Sequence, residues 1–128
     1  MKAVDTNILV RFFERDDAGR TAAADAVLLG RDSFFVSSIV LCELGWVLRS
    51  VYKRRPDEVA TVFRELLEVK TAVLDRDAVL NGLALLEGGA DFSDGVVLRE
   101  ARREQCTAIL TFDRNFARAG APEVELLS

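Results

Sequence analysis

The 128-residue sequence contains no histidine. Without an imidazole, Ser-His-Asp and Cys-His catalysis are excluded, and so is every zinc site built with histidine. A nuclease working through a His acid/base pair is excluded with them. Cysteine is nearly as scarce. Cys42 and Cys106 stand far apart, which rules out a disulfide framework and any CxxC metal or redox motif. Both are expected to be buried thiols in a reducing compartment. Only two prolines occur and 50% of the residues are hydrophobic, so extended disorder is excluded and a packed core is within reach. Long apolar runs are missing as well. The stretch from Ser38 to Leu48 is cut by Glu43 and is too short to span a bilayer. At the N-terminus Asp5 interrupts any signal-peptide run, so the cytoplasm is the expected setting, with no membrane. Excess positive charge is also absent. Lys plus Arg is 17 against 21 Asp plus Glu, a net of −4, which excludes a uniformly basic nucleic-acid binder. Catalysis, if present, must run on carboxylates, hydroxyls, Arg, Lys or a metal.

What is there reads as one domain, residues 1–128, in which strands alternate with helices. Lys2-Ala3-Val4 is a short strand, after which Thr6 or Asn7 caps a helix carrying Ile8, Leu9, Phe12 and Phe13. Asp16-Asp17-Ala18-Gly19 breaks that helix, and an Ala-rich one runs from about Thr21 to Leu29 before Gly30. Ser33 to Val36 is a buried strand. Ser37 or Ser38 then caps a helix to about Lys53, with Val40, Leu44, Val47, Leu48 and Val51 as its core stripe. Pro56 opens another, with Val59, Val62, Phe63, Leu66 and Leu67 inward. Thr71 to Leu74 is a third strand. Asp75 caps a helix with Val79, Leu80, Leu83 and Leu86 inward, ended by Gly88-Gly89. Asp91-Phe92-Ser93-Asp94 opens a helix through about Gln105, and Thr107 to Thr111 is a fourth strand. A loop from Phe112 to Ala121 leads to a last edge strand, Val124 to Leu127. The expected fold is α/β, a three-layer α/β/α sandwich with a mostly parallel central sheet. Trp46, Phe34, Phe35 and Phe63 read as core.

Four acids occupy notable places in that layout. Ligands of parallel α/β sheets bind beyond the carboxyl ends of the strands. Asp5 directly follows the first strand, and Asp113 lies two residues past the fourth. Each could equally be an ordinary cap or loop carboxylate. Glu43 falls beside Val40 and Val47 at the edge of an apolar stripe, where a glutamate is rarely buried without a partner. The plain alternative is a side chain reaching out to water. Asp94 sits in the first turn of its helix, three residues after Asp91. Asp91 fits a helix cap better than a metal ligand, while Asp94 gains from the positive end of the helix dipole. Two carboxylates about 5 Å apart repel by roughly 3 kcal/mol at an effective dielectric near 20. A gathered quartet therefore needs protons or cations, and an all-oxygen ligand set selects hard ions, Mg²⁺ or Mn²⁺.

The segments Val4-Asp5-Thr6-Asn7-Ile8-Leu9, Ser38-x4-Glu43-Leu44, Asp91-Phe92-Ser93-Asp94 and Thr111-Phe112-Asp113-Arg114-Asn115-Phe116 resemble the PIN-domain ribonucleases. More closely, they resemble the VapC-type toxins of bacterial and archaeal toxin–antitoxin pairs. The likeness covers almost the whole chain. It implies that Asp5, Glu43, Asp94 and Asp113 are an acidic quartet binding Mg²⁺ or Mn²⁺ for endoribonuclease chemistry. Thr6, Asn7, Thr111 and Asn115 match supporting positions, with capping and strand-end hydrogen bonds as the alternative. The implied partners are an RNA substrate, a cognate antitoxin that occludes the acidic cleft, and a second copy of the chain. Two departures bear on packing: Gly95-Val96-Val97-Leu98 follows the third acid, and Gln105 stands where a glycine commonly ends the helix. A non-glycine left-handed cap there costs roughly 1 kcal/mol.

Subtracting the quartet leaves the remaining charge balanced. Its positive part is nearly all arginine, with lysine only at Lys2, Lys53 and Lys70. Arginine suits bidentate phosphate contact and stacking on bases. Candidates are Arg11 and Arg15, then Arg49, Lys53, Arg54 and Arg55, then Arg114 and Arg118. Arg99, Arg102 and Arg103 read as a solvent face near a helix C-terminus. Two rivals stand beside the nuclease. An aspartyl-phosphate phosphatase or receiver would want a late lysine, and none follows Thr107. A non-catalytic RNA-binding or interaction module on the same fold is the other.

Overall fold

The chain starts with a strand just long enough to deliver a carboxylate to a helix. In the computed structural model, which describes residues 1–128, β1 (Lys2–Ala3) leads through Val4 to Asp5, the N-cap of α1 (Thr6–Glu14). The Asp5 carboxylate accepts from the Thr6 amide at 2.7 Å. Thr6 and Asn7 therefore lie inside the helix and do not cap it. The helix starts one position earlier than the pattern suggests, because Asp5 already offers an acceptor to a free first-turn amide. Asp17 likewise caps α2 (Ala18–Leu28) by accepting from the Arg20 amide at 3.1 Å. Ala18 and Gly19 thus join that helix, and the break is confined to Arg15, Asp16 and Asp17.

After β2 (Phe34–Phe35), the Ser37 hydroxyl caps α3 (Ser38–Ser50) by accepting from the Val40 amide at 3.3 Å. Pro56 opens α4 (Pro56–Glu68) and β3 (Ala72–Val73) follows. The three strands pair in parallel in the order β1-β2-β3, with Lys2 opposite Phe34 and Phe34 opposite Ala72. The ladder runs one residue further at the carboxyl end. The Val4 amide donates to the Phe35 carbonyl at 3.0 Å, and the Val36 amide to Val73 at 2.9 Å. These elements make the first of two compact units, Met1–Asp75. Leu9, Leu41, Leu44, Leu48, Val59, Phe63 and Leu66 in this unit are fully buried.

Helix α3 buries Val40, Leu44 and Leu48 as read, but its inward face is shifted from the expected stripe. Leu41 and Gly45 are inside, Val51 is exposed, and Trp46 is 64% exposed instead of core. Phe35 is exposed as well, while Phe34 and Phe63 are buried as read. The cause is composition. Ile39, Val40, Leu41, Leu44, Trp46, Val47 and Leu48 put apolar side chains nearly all round the helix, so periodicity alone cannot choose the inward face.

The second unit, Arg76–Ser128, contains α5 (Arg76–Glu87), α6 (Phe92–Arg103), β4 (Ile109–Thr111), α7 (Arg114–Ala119) and β5 (Val124–Leu126). β4 and β5 pair in parallel, with Ile109 opposite Val124 and Thr111 opposite Leu126. Every strand pairing in the protein is thus parallel, as the alternation of strands and helices requires. Leu85, Ala90, Leu98, Phe116 and Val124 form a buried cluster, with Ile109 packed against it. Helix α7 falls within the expected loop, and Leu80 of α5 is exposed where it was read as inward. Val79, Leu83 and Leu86 face inward as read, joined by Ala78, Gly82 and Leu85. Gln105 is left-handed at φ 60°, the strained non-glycine cap expected from its position. Cys42 is half-buried and Cys106 is exposed, so the second thiol is not the core group it was read to be. No helix is long and apolar enough to cross a membrane.

Close packing of α5 on α6 rests on two glycines. A methyl group at Gly82 would enter the Phe92 ring, and one at Gly95 would overlap the backbone of Asn81 and Gly82. A ring can turn away, but backbone cannot. Gly95→Ala is therefore expected to force the helices apart and to cost roughly 3 kcal/mol, at the upper end of overpacking penalties. Thermal unfolding would read this as a fall of several degrees or more in Tm. An unchanged Tm would mean that the two helices can separate without cost.

Candidate active site

In the first unit, two parallel strands end side by side and each feeds a helix. β1 leads to Asp5 at the start of α1, and β2 leads to Ser37 at the start of α3. Helices α1 and α3 pack on each other. Asp5 thus sits at the carboxyl edge of this sheet, and Glu43 lies in the second turn of the neighbouring helix. Asp5 is exposed, and its carboxylate accepts a hydrogen bond from the Thr6 amide. Glu43 is exposed, reaching out to water as the plain alternative had it, and has no hydrogen-bond or ion-pair partner. Beside Asp5, the Thr6 hydroxyl is buried, at 6% exposure, and also lacks a partner. A buried hydroxyl left unpaired is costly, and such an atom commonly serves a ligand or an ordered water. Asn7 is exposed on the helix surface.

In the second unit, the structure brings Asp91, Asp94 and Asp113 into electrostatic reach of one another. Asp91 is the N-cap of α6, as read from the sequence, and its amide donates to the Asp94 carboxylate at 3.0 Å. Burial holds the Asp94 carboxyl above the ordinary carboxylate range. The Asp91 amide pulls it back down, and the negative charges of Asp91 and Asp113 push it up further. Asp113 caps α7, with Oδ1 accepting from the amides of Asn115 at 2.9 Å and Phe116 at 3.2 Å. The Asp113 amide donates to the Thr111 hydroxyl at 3.0 Å. Thr111 thereby braces the Asp113 backbone and the Asn115 and Phe116 amides fix its carboxylate, while Oδ2 has no protein partner. The Asn115 side chain accepts from Arg118 at 2.8 Å.

Within neither unit do three or more Asp, Glu or Cys side chains close into a ready-made metal cage. The donor chemistry nevertheless fits a hard divalent cation. In each unit carboxylate oxygens stand without partners, and in the second their mutual repulsion is of the kind a bound cation would relieve. A cleft of about 580 Å³ opens at the amino ends of β1 and β2, lined by Lys2, Val27, Arg31, Asp32 and Phe34. None of the candidate acids lines it.

The arginines divide more sharply than the sequence suggests. Arg11 pairs with Asp16, which also accepts from the Tyr52 hydroxyl at 3.0 Å. Arg15 grips Asp25 through two hydrogen bonds of 2.9 and 2.8 Å. Arg54 holds the buried Glu14, and Arg55 meets Asp57 at 3.1 Å. Arg49 donates to the Arg54 carbonyl. Arg102, read as solvent-facing, is bound to Glu123, and Arg99 lies 3.6 Å from Asp77. These groups are committed to the protein itself. Arg114, next to Asp113, is exposed and has no partner.

The PIN domain family matches residues 2–122, which reaches from β1 past α7. Among curated proteins, none matches the chain significantly. PIN domains have the three-layer α/β/α architecture with parallel strands that the sequence led us to expect, and they are typically metal-dependent nucleases. With the family match running through both compact units and through every segment that bears a candidate acid, the chain belongs to the PIN-domain family.

Proposed function

We propose that the chain is a Mg²⁺-dependent endoribonuclease and the toxin of a toxin–antitoxin pair, working in the cytoplasm as one nuclease domain. The observation that carries this reading is the carboxyl of Asp94, held above its ordinary range by burial and by the charges of Asp91 and Asp113, in a PIN-family chain. An Asp destabilised by like charges beside unpartnered carboxylate oxygens is what a cation site costs a protein when no cation is bound.

Asp5, Glu43, Asp94 and Asp113 would hold the metal, Mg²⁺ or Mn²⁺. Such an ion, when bound, acidifies water and offsets charge developing on phosphate oxygens. The chain's own groups do the rest. Asp113 is held in one orientation by the Asn115 and Phe116 amides on Oδ1, which leaves Oδ2 available to a cation at little reorganisation cost. The Thr6 hydroxyl, buried and unpaired, can take a hydrogen bond from a water poised beside Asp5. Asp94, with its raised proton affinity, is suited to hold a proton and pass it to the departing oxygen. In-line attack at phosphorus then releases the 3′-oxygen. A cognate antitoxin that covers the acids and a second copy of the chain complete the assembly in this reading.

The test is the chemistry of the cut ends. The full chain, incubated with an unstructured oligoribonucleotide and Mg²⁺, should cut internally and leave 5′-phosphate and 3′-hydroxyl termini. Products ending in 2′,3′-cyclic phosphate would show that the 2′-hydroxyl of the RNA is the nucleophile, and water attack would be wrong.

A further inference from the structure

The most exposed aromatic side chain adjoins a candidate active-site acid. Phe112, in the bend between β4 and α7, is 78% exposed and makes no ring contact within the protein. Leu110, two residues earlier on β4, is 61% exposed. On the other side come Asp113 and then Arg114, whose guanidinium has no partner. A singly exposed ring is ordinary, but Leu110 and Phe112 together leave apolar surface in water beside a candidate active-site acid, and a ligand covering it would recover the free energy of burial.

We propose that Phe112 is a stacking platform for an unpaired nucleobase, with Arg114 holding the adjoining phosphate, so that single-stranded RNA is seated against Asp113. The inference rests on the nuclease reading above and names how its substrate is gripped.

Three features favour a nucleotide over a protein patch. The cores of protein interfaces are depleted of charged residues, whereas here the ring is followed immediately by a carboxylate and then an unpaired cation. A nucleotide has the complementary order: a flat apolar base beside an anionic phosphate. The second feature is the anchoring of the bend. The Thr111 hydroxyl accepts from the Asp113 amide, and Asp113 in turn caps α7, so the backbone that carries the ring is braced on both sides. The third is the contrast with the other arginines. Arg11, Arg15, Arg54, Arg55 and Arg102 are engaged by carboxylates, while Arg114, like Arg31 in the first unit's cleft, is left without one, and of these two only Arg114 adjoins a candidate acid.

Stacking reads unpaired bases of any sequence, because every base has a π-face. The experiment follows from that. The full chain is titrated, in EDTA so that nothing is cut, with a single-stranded oligoribonucleotide carrying 2-aminopurine and with its duplex. Wild type should quench the 2-aminopurine emission on binding. Phe112→Leu keeps the apolar bulk but loses the ring face. It should weaken single-strand binding about tenfold and abolish the quenching, with duplex binding unchanged. Phe112→Trp should restore both. Arg114→Ala should weaken binding while the quenching persists at saturation, and should lower the salt dependence by about one phosphate contact. Wild-type affinity and quenching in Phe112→Leu would overturn the proposal. So would equal losses on single strand and duplex, or a change in the mass of the RNA-free assembly, which would make Phe112 a protein contact. The two readings fail separately. If wild type cuts RNA and Phe112→Leu binds and cuts like it, only the platform falls. If wild type cuts nothing but the Phe112-dependent quenching is present, the nuclease reading falls and the platform stands.

Discussion

Replacing Asp94 by Asn is expected to abolish RNA cleavage and, at neutral pH, to raise the melting temperature of the metal-free protein. Both effects have one origin. Asp94 is partly desolvated and lies within reach of the charges of Asp91 and Asp113. Removing its charge relieves the repulsion, and the Asn oxygen can still accept from the Asp91 amide. Asp94 is only half-buried, so solvent screens much of the repulsion and the gain should be a few degrees rather than tens. Activity should fall on the order of a hundredfold or more, since even outer-shell changes around a metal cost 10–100-fold. The stability gain carries its own pH signature. A carboxyl held above the ordinary range binds its proton more tightly in the folded state than in the unfolded one. Its stability cost is therefore absent below the ordinary carboxylate range and grows as pH rises through the raised folded value. Melting curves of wild type and Asp94→Asn should coincide near pH 3, which is below about 3.9, and should separate toward neutrality. Curves equally separated at both pH values would mean that the charge of Asp94 is not the source.

The second large effect comes from metal. Excess EDTA should stop cleavage completely, because the chain has no imidazole to activate water in place of a cation. Mg²⁺ at ten times its Kd should stabilise the protein by RT ln(1 + [L]/Kd), roughly 1.4 kcal/mol, or a few degrees in Tm. Asp5→Asn separates ligand from fold. Asn caps a helix about as well as Asp, so α1 should keep its N-terminus while a metal oxygen is lost. The variant should fold and should show a smaller Mg²⁺ shift. A full shift in Asp5→Asn would remove Asp5 from the metal site, and cleavage that continues in EDTA would remove the metal from the reaction.

Much of this was legible in the residues because short-range rules governed it. Pro56 at a helix start, Ser37 as a cap, Asp91 three residues before Asp94, and Gln105 in a left-handed cap are all local matters of backbone amides and steric freedom. The placement of Asp5 and Asp113 followed from strand ends in a parallel sheet. Three kinds of feature were hidden. Helix α7 is six residues long, too short for periodicity, although Asp113 ahead of Asn115-Phe116 was an available cap signal. The inward face of α3 was ambiguous because apolar side chains surround it. The arginine pairs Arg15–Asp25 and Arg54–Glu14 join residues brought together only by the fold. Sequence spacing therefore left those arginines among the RNA candidates and could not single out Arg114.

The outward position of Trp46 has a consequence for optical work on this protein. It is the single tryptophan of the chain, and its indole is already largely hydrated in the native state. Its emission should resemble that of a free indole both before and after denaturation, so melting is better followed by far-ultraviolet circular dichroism. The same property makes it a built-in reporter for anything that settles on α3. A protein surface covering that helix would dehydrate the ring and shift its emission to the blue against a nearly fixed background, with no label attached.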